Sequence, residues 1–291
     1  MKLGAIDVGS NAIRVVIGEV SRPLGSWNYS KLAYLRLPVR LGDDVFDKGK
    51  ISDSKVEQFV EGMKIFRSYL DFYGVTDFRA VATSAMRDSS NSKRILQKIK
   101  KETGITLEVI SGKEEAELVY TTFQLISGLK NNYLLIDVGG GSTEITLFEN
   151  NKVHKAKSFQ IGSVRLLKGK VQDKEWKALE NWIKKEIKPT KPGKVFGAGG
   201  TINSIHKVLG AKDKEPISKK SIVSLSNTLG ELDIEQRILN FKLKPDRADV
   251  LIPAMEIYTT ILNLLDVKEI FVPKMGVSDG VILSLYRERT L

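Results

Sequence analysis

The chain has no cysteine and only two histidines, His154 and His206. A disulfide framework and a thiolate metal site are therefore excluded, and so is a histidine-rich metal centre. There is no run of 18 or more apolar residues of the kind that spans a bilayer. The opening stretch MKLGAIDVGS has one lysine and then reads as a strand and a turn, without the apolar core of a secretory signal. A cytoplasmic setting is the expectation. The aromatic-basic signatures of RNA modules and zinc fingers are missing, so neither nucleic acid nor membrane is expected as a partner. What is present is positive charge, 46 basic against 35 acidic residues, a net +11. That field favours anionic partners without choosing among them. Lys98, Lys100, Lys101, Lys184 and Lys185 read as solvated helix faces. At 291 residues the chain has room for about two domains of ~150 residues each.

Apolar periodicity gives alternating strands and helices, hence an α/β fold. KLGAIDV, a GSN turn and AIRVVIGEV form a hairpin, and residues 27–37 supply a third strand. A helix follows from about Ser54 to Tyr73, with Ser54 and Glu57 as a capping box. Its apolar stripe is Val56, Phe59, Val60, Met63, Phe66 and Leu70, and Gly74 ends it. Then come the strand FRAVATSA, the helix SKRILQKIKKETG, the strand TLEVI and the helix GKEEAELVYTTFQLI. At NYLLIDVGGGSTEITLFEN the pattern restarts. Ile6-Asp7-Val8-Gly9 matches Ile136-Asp137-Val138-Gly139 at an offset of 130 residues, which reads as a duplicated domain. The second copy continues with the strand HKAKSFQIG, the helix DKEWKALENWIKKEI, and KVFGAGG running into the helix TINSIHKVLG. After a lysine-rich loop at 211–220, helices run to about Leu265. A strand EIFVPKMG and a last helix from Asp279 complete the chain. The expected boundary lies near Gln124.

Both copies open with a hairpin whose turn is acid-x-Gly followed by small residues. Successive backbone N–H groups in such a turn make an anion nest. The hydroxyls of Ser10, Ser142 and Thr143 add donors. A third glycine loop, Gly197-Ala198-Gly199-Gly200-Thr201, enters a helix N-terminus, another place that suits phosphate. GGGSTE lies inside a hairpin, so it is not the dinucleotide fingerprint, and no G-K-[ST] makes it a Walker A loop. Asp7 and Asp137 stand at strand ends, with Glu144 across the second hairpin. Acids beside a phosphate nest call for a cation between them, and carboxylate plus phosphate oxygens are what Mg²⁺ takes. The competing reading is that Asp137 caps its own turn. Glu114, Glu115 and Glu117 stand at a helix start, where the dipole alone accounts for Glu114 and Glu117. Glu115 is the candidate general base, although periodicity does not single it out. Thr83, Ser84 and Arg87 follow a strand end, where open α/β sheets place ligand groups, and Arg87 can fork onto phosphate oxygens. A plain surface arginine is the alternative for Arg87. His206 reads as a packed residue, and His154 carries no role.

AIDVGSNAIR, ATSAMRDSSN, VISGKEEAELVY, IDVGGGSTEI, FQIGSVRL and GAGGTINSI occur in the order and spacing of one family. Across nearly the whole chain the sequence resembles the exopolyphosphatase/guanosine pentaphosphate phosphohydrolase (Ppx/GppA) family. The resemblance implies two actin-like (ribonuclease H-like) domains of the sugar kinase, Hsp70 and actin (ASKHA) superfamily, with the active site in the cleft between them. Domain I is then 1–123 plus the returning helix 279–291, and domain II is 124–278. The implied reaction is hydrolysis of a terminal phosphoanhydride, releasing orthophosphate from polyphosphate or from guanosine pentaphosphate. The latter would tie the chain to the stringent response. Carried over, Glu115 resembles the water-activating base, Asp137 and Glu144 the acids that place Mg²⁺ (or Mn²⁺ or Ca²⁺) and water, with Asp7 a further metal candidate. Arg87 resembles the phosphate clamp. Ser10, Asn11, Thr83, Ser84, Gly139, Gly140, Gly141, Ser142, Gly162, Gly199 and Gly200 make the cradle. No organic cofactor is implied, and family members often form homodimers. Three departures stand out. Ala12 replaces a frequent serine, GVSDG near Ser278 lacks the usual arginine, and with no H-D pair the helical HD-like region of long members is expected to be absent. Short chains are therefore the expected preference. Rival readings are a guanosine pentaphosphate hydrolase, a kinase of the same superfamily and a non-catalytic sensor of guanosine tetraphosphate or polyphosphate.

Overall fold

The computed structural model describes residues 1–23, 26–125, 132–150 and 152–290. The boundary expected near Gln124 runs on into residues 126–131, which lie outside that description. The chain divides into two compact units, Met1–Gly128 with Gly276–Leu291, and Leu129–Met275.

The first unit opens with β1 (Lys2–Val8) and β2 (Ile13–Ser21), paired antiparallel from Lys2↔Glu19 to Val8↔Ile13. Strand β3 (Asn28–Leu37) pairs with β2, and a short helix α1 (Leu41–Lys48) follows, an element the periodicity does not announce. Helix α2 (Asp53–Phe72) buries the six predicted apolar residues, each at 3% exposure or less. At roughly 1.5–3 kcal/mol per large apolar side chain, that stripe is what seats the helix. The capping box expected at Ser54 and Glu57 is not formed. The helix starts at Asp53, Ser52 is the N-cap residue, and the Ser52 hydroxyl donates to Asp44 instead. Gly74, at φ +64°, follows the helix as expected. Next come β4 (Phe78–Ala82), α3 (Ser84–Asp88), α4 (Ser92–Thr103), β5 (Leu107–Val109) and α5 (Gly112–Thr122). The sheet order is β3-β2-β1-β4-β5, with β1, β4 and β5 parallel.

The second unit repeats the plan. Strands β6 (Tyr133–Val138), β7 (Thr143–Glu149) and β8 (Lys152–Phe159) form an antiparallel meander. After α6 (Ser163–Leu167) and α7 (Asp173–Trp182) the chain passes through one wider π-helical turn, Ile183–Ile187. Strand β9 (Lys194–Ala198) then pairs parallel to β6 and leads directly into α8 (Gly199–Val208). The order β8-β7-β6-β9 reproduces β3-β2-β1-β4. The lysine-rich loop contains a short strand, β10 (Ile217–Ser218), whose Ser218 hydroxyl caps α9 (Lys219–Gly230). Helices α10 (Ile234–Phe241), α11 (Pro245–Ala248) and α12 (Leu251–Leu265) follow. The stretch 245–265 is long and apolar enough to cross a membrane, but α12 lies in the apolar core of this unit. The expected strand EIFVPKMG is reduced to β11 (Glu269–Ile270), paired with β10, and one bridge from Phe271 to Phe196. The last helix, α13 (Val277–Thr290), belongs to the first unit.

Candidate functional site

In the first unit the C-terminal ends of β1, β4 and β5 are level, because Val8 pairs with Ala82 and Ala82 with Val109. The turn after β1 is closed by Gly9 N–H donating to Ala12 O at 3.1 Å. Its outer carbonyls are tied to the start of α1. Gly42 N–H donates to Ser10 O (2.7 Å) and Arg40 N–H to Asn11 O (3.1 Å). The Ser10 and Ser84 hydroxyls are bonded to each other at 2.8 Å, and Ser10, Asn11, Thr83 and Ser84 are all buried. Arg87 Nη1 donates to Ile110 O at 2.7 Å and lies 3.9 Å from Glu115 Oε2. Glu115 is buried in the first turn of α5, while Glu114 closes a capping box with Ser111. The Ser111 backbone N–H, and then its hydroxyl, hold the Glu114 carboxyl below its ordinary range. Glu114 is thus explained by the helix, as its position at the helix start foretold. Asp7 faces Arg14 across the hairpin, and the two form an ion pair at 2.5 Å. A metal at Asp7 would have to displace that guanidinium.

In the second unit the turn Gly139–Ser142 is closed by Gly139 N–H donating to Ser142 O at 2.9 Å. The carbonyls of its three glycines go to α6. Gly139 O accepts from Ser163 N–H (3.0 Å), Gly140 O from Val164 N–H (2.8 Å) and Arg165 N–H (3.0 Å), and Gly141 O from Arg165 Nε (2.9 Å). Among the described residues all peptides are trans. In a trans peptide the N–H points opposite to the C=O. The N–H groups of Gly140, Gly141 and Ser142 therefore point away from α6, the arrangement an anion nest requires. Gly162 serves this docking. A Cβ there would lie 2.4 Å from Gly141 C and 2.5 Å from Gly140 O. The Thr143 hydroxyl, offered above as a ligand donor, is engaged with Ile161 O.

Asp137 and Glu144 are direct partners across the β6–β7 hairpin, so both side chains lie on one face of the sheet. They are 8% and 3% exposed. Ser158, the partner of Glu144 on β8, donates its hydroxyl to Glu144 Oε1 at 2.7 Å. Gly199, at φ +87°, lies so close that a Cβ would meet Asp137 Oδ1 at 2.4 Å. Its missing side chain makes room for Asp137, and its N–H donates to Met275 O at 3.3 Å. Asp137 thereby stands at the N-terminus of α8, where the helix dipole favours its charge. The Tyr258 hydroxyl links the two strand ends, accepting from Val138 N–H (3.4 Å) and donating to Ala198 O (3.3 Å). Burial, and then the Asp137 charge, push its pKa well up. His206 is buried on α8. Among the described residues no group of three or more His, Asp or Glu side chains gathers as a metal cage. Two buried carboxylates on one face do fit Mg²⁺, which keeps waters and takes substrate phosphate oxygens for its remaining ligands. Ser158, Tyr258 and Arg14 escaped the sequence reading. Alternation along β8 would have placed Ser158 opposite Glu144 had the register been known.

Both units thus carry the same strand order, 3-2-1-4, with a glycine turn and strand-end acids at the first hairpin. The chain belongs to the Ppx/GppA phosphatase family, whose model matches residues 25–289. It is 31% identical over 288 residues to the bifunctional 3-dehydroquinate synthase/phosphatase of Fusobacterium nucleatum, covering 89% of this chain and 43% of that protein. Exopolyphosphatase 1 of Mycobacterium tuberculosis is 22% identical over 304 residues, covering 97% of this chain and 88% of that one. A solved structure of an exopolyphosphatase from Cytophaga hutchinsonii superposes with a TM-score of 0.85 at 24% identity, covering 99% of this chain and 98% of that one. The α/β fold expected from sequence is thereby shown.

Proposed function

We propose that the protein hydrolyses terminal phosphoanhydride bonds and releases orthophosphate from inorganic polyphosphate. The observation that carries this reading is the Gly139–Ser142 turn. Three successive N–H groups point to one side of it, fixed there by α6, beside the carboxylate pair Asp137 and Glu144. Naked peptide donors recognise phosphate oxygens without reading the rest of the ligand, as a polymer of identical units requires. The exopolyphosphatase relative supports the same substrate class.

In this reading Glu115 accepts a proton from the attacking water as its oxygen bonds to the terminal phosphorus. The bridging P–O bond breaks, and the electron pair leaves with a chain one phosphate shorter. Arg87 is the first unit's candidate for binding oxygens on which charge accumulates, and the turn N–H groups are the second unit's. Ser10, Asn11, Thr83 and Ser84 supply further polar contacts. Asp137 and Glu144 would hold Mg²⁺, which when bound neutralises phosphate charge. The test is orthophosphate release with Mg²⁺ from tripolyphosphate, long polyphosphate, guanosine pentaphosphate and ATP. Release from polyphosphate is expected, faster on the short chain, and Glu115→Gln should lower it by about 10²–10⁴-fold. Release from guanosine pentaphosphate alone would transfer the reading to that nucleotide. Binding without release from any of the four would leave a sensor.

A further inference from the structure

Helix α13 carries none of the residues assigned above, yet it meets the helix bearing Glu115 where no side chain fits. At Gly280 an added Cβ would lie 1.8 Å from Leu118 O and 2.4 Å from Leu118 C. The obstacle is main chain in the middle of α5, so no rotamer change relieves it. The Thr121 hydroxyl stitches the contact, lying 2.7 Å from Leu118 O and 3.2 Å from Gly280 O. Leu118 is one turn beyond Glu115, about 4.5 Å along the helix axis.

Helix α13 is itself anchored on its other side. Asp279 is buried at 3% exposure and receives the Tyr29 hydroxyl (2.5 Å), Lys31 Nζ (2.9 Å) and Gly276 N–H (2.9 Å). Burial, and then Asp279, push the Tyr29 hydroxyl far above its ordinary pKa, so it stays protonated and donates. Ile282 lies beneath β2, near enough that a Cβ on Gly18 would meet its Cδ1 at 3.1 Å. With α13 gripped by β2 and β3, any wedge at Gly280 must be relieved by α5.

We infer that α13 is the element that positions Glu115, and that Gly280, Asp279 and Tyr29 are positioning residues for the reaction. The inference rests on the role proposed for Glu115. Misplacing a reacting group by about 1 Å lowers rates by about 10²-fold. The Gly139–Ser142 turn is held by α6 of its own unit.

The experiment uses the full chain and three variants, Gly280→Ala, Tyr29→Phe and Arg289→Ala. The last, also on α13, breaks the exposed pair of Arg289 with Asp77, which precedes β4, and serves as control. Hydrogen exchange of the α5 amides and steady-state kinetics on tripolyphosphate are read in parallel. Gly280→Ala is expected to speed exchange across α5 and to lower kcat about 10- to 100-fold with KM within about twofold. Tyr29→Phe should move both in the same direction by less, and it remains informative if Gly280→Ala does not fold. Arg289→Ala should leave both unchanged. Unchanged α5 exchange in the two test variants overturns the inference, as does faster exchange with wild-type kcat. Failure of the hydrolase reading itself is distinguishable, since wild type would then release no orthophosphate while the exchange measurement still reports on α5.

Discussion

Single side chains decide what the strand-end acids can do. Glu144 is buried and receives the Ser158 hydroxyl. That bond fixes one carboxylate oxygen and so orients the other. Groups that orient a metal-binding carboxylate affect affinity about 10- to 100-fold. Ser158→Ala is therefore expected to raise the Mg²⁺ concentration for half-maximal binding by about tenfold, by calorimetry and by activity. Ser158→Thr should stay near wild type. An unchanged Mg²⁺ titration in Ser158→Ala would deny the carboxylate pair its role. The candidate acids and turns could be named in advance, because acids and glycines cluster in the text of the chain itself. Gly162, Gly199 and Thr143 show what the text withholds. Each makes room for or bonds to a neighbour brought there by the fold. A glycine letter shows that something comes close to the backbone, not what it is.

At the scale of elements, the hairpins, the duplication and α2 were readable from periodicity, and the short connecting pieces were not. Helix α1 has eight residues and is held by carbonyls of the Ser10–Asn11 turn, so its existence depends on a distant partner. Strands β10 and β11 have two residues each and exist only because they find one another. The misplaced capping box has the same origin, since Ser52 donates to Asp44 rather than capping its own helix. Between α2 and α4, Glu102 joins Lys98 (2.7 Å) to Lys64 (2.9 Å). Hydrogen bonds from Lys98, and then Lys64, lower the Glu102 pKa to about 2. An unfolded glutamate titrates near ~4.3. Between those values the unfolded chain binds a proton that the folded chain does not, so stability falls as pH drops through this window and is fully present above it. Glu102→Gln should melt slightly below wild type at pH 7, with the gap narrowing from about pH 4.5 downward. Thermal melts across that range check it, and a gap independent of pH would mean the pair contributes nothing.

At the scale of the whole molecule the excess of 11 positive charges is the plainest feature of the composition. Polyanion capture should be screened by salt, with kcat/KM on long polyphosphate falling about tenfold between about 50 and 500 mM salt. Initial rates at low substrate test this, and a flat profile would confine the charge to solubility. The duplication has another consequence. The two hairpins place an aspartate at the same strand end twice, but one faces an arginine and the other the start of a helix. The chain thus contains its own matched control. Asp7→Asn and Asp137→Asn remove the same charge from the same position of the same scaffold. Subtracting one from the other cancels the generic effect of neutralising a strand-end acid. What remains is the difference between a strand-end acid paired with a guanidinium and its counterpart beside the start of a helix: Asp137→Asn should abolish orthophosphate release, and Asp7→Asn should reduce it without abolishing it.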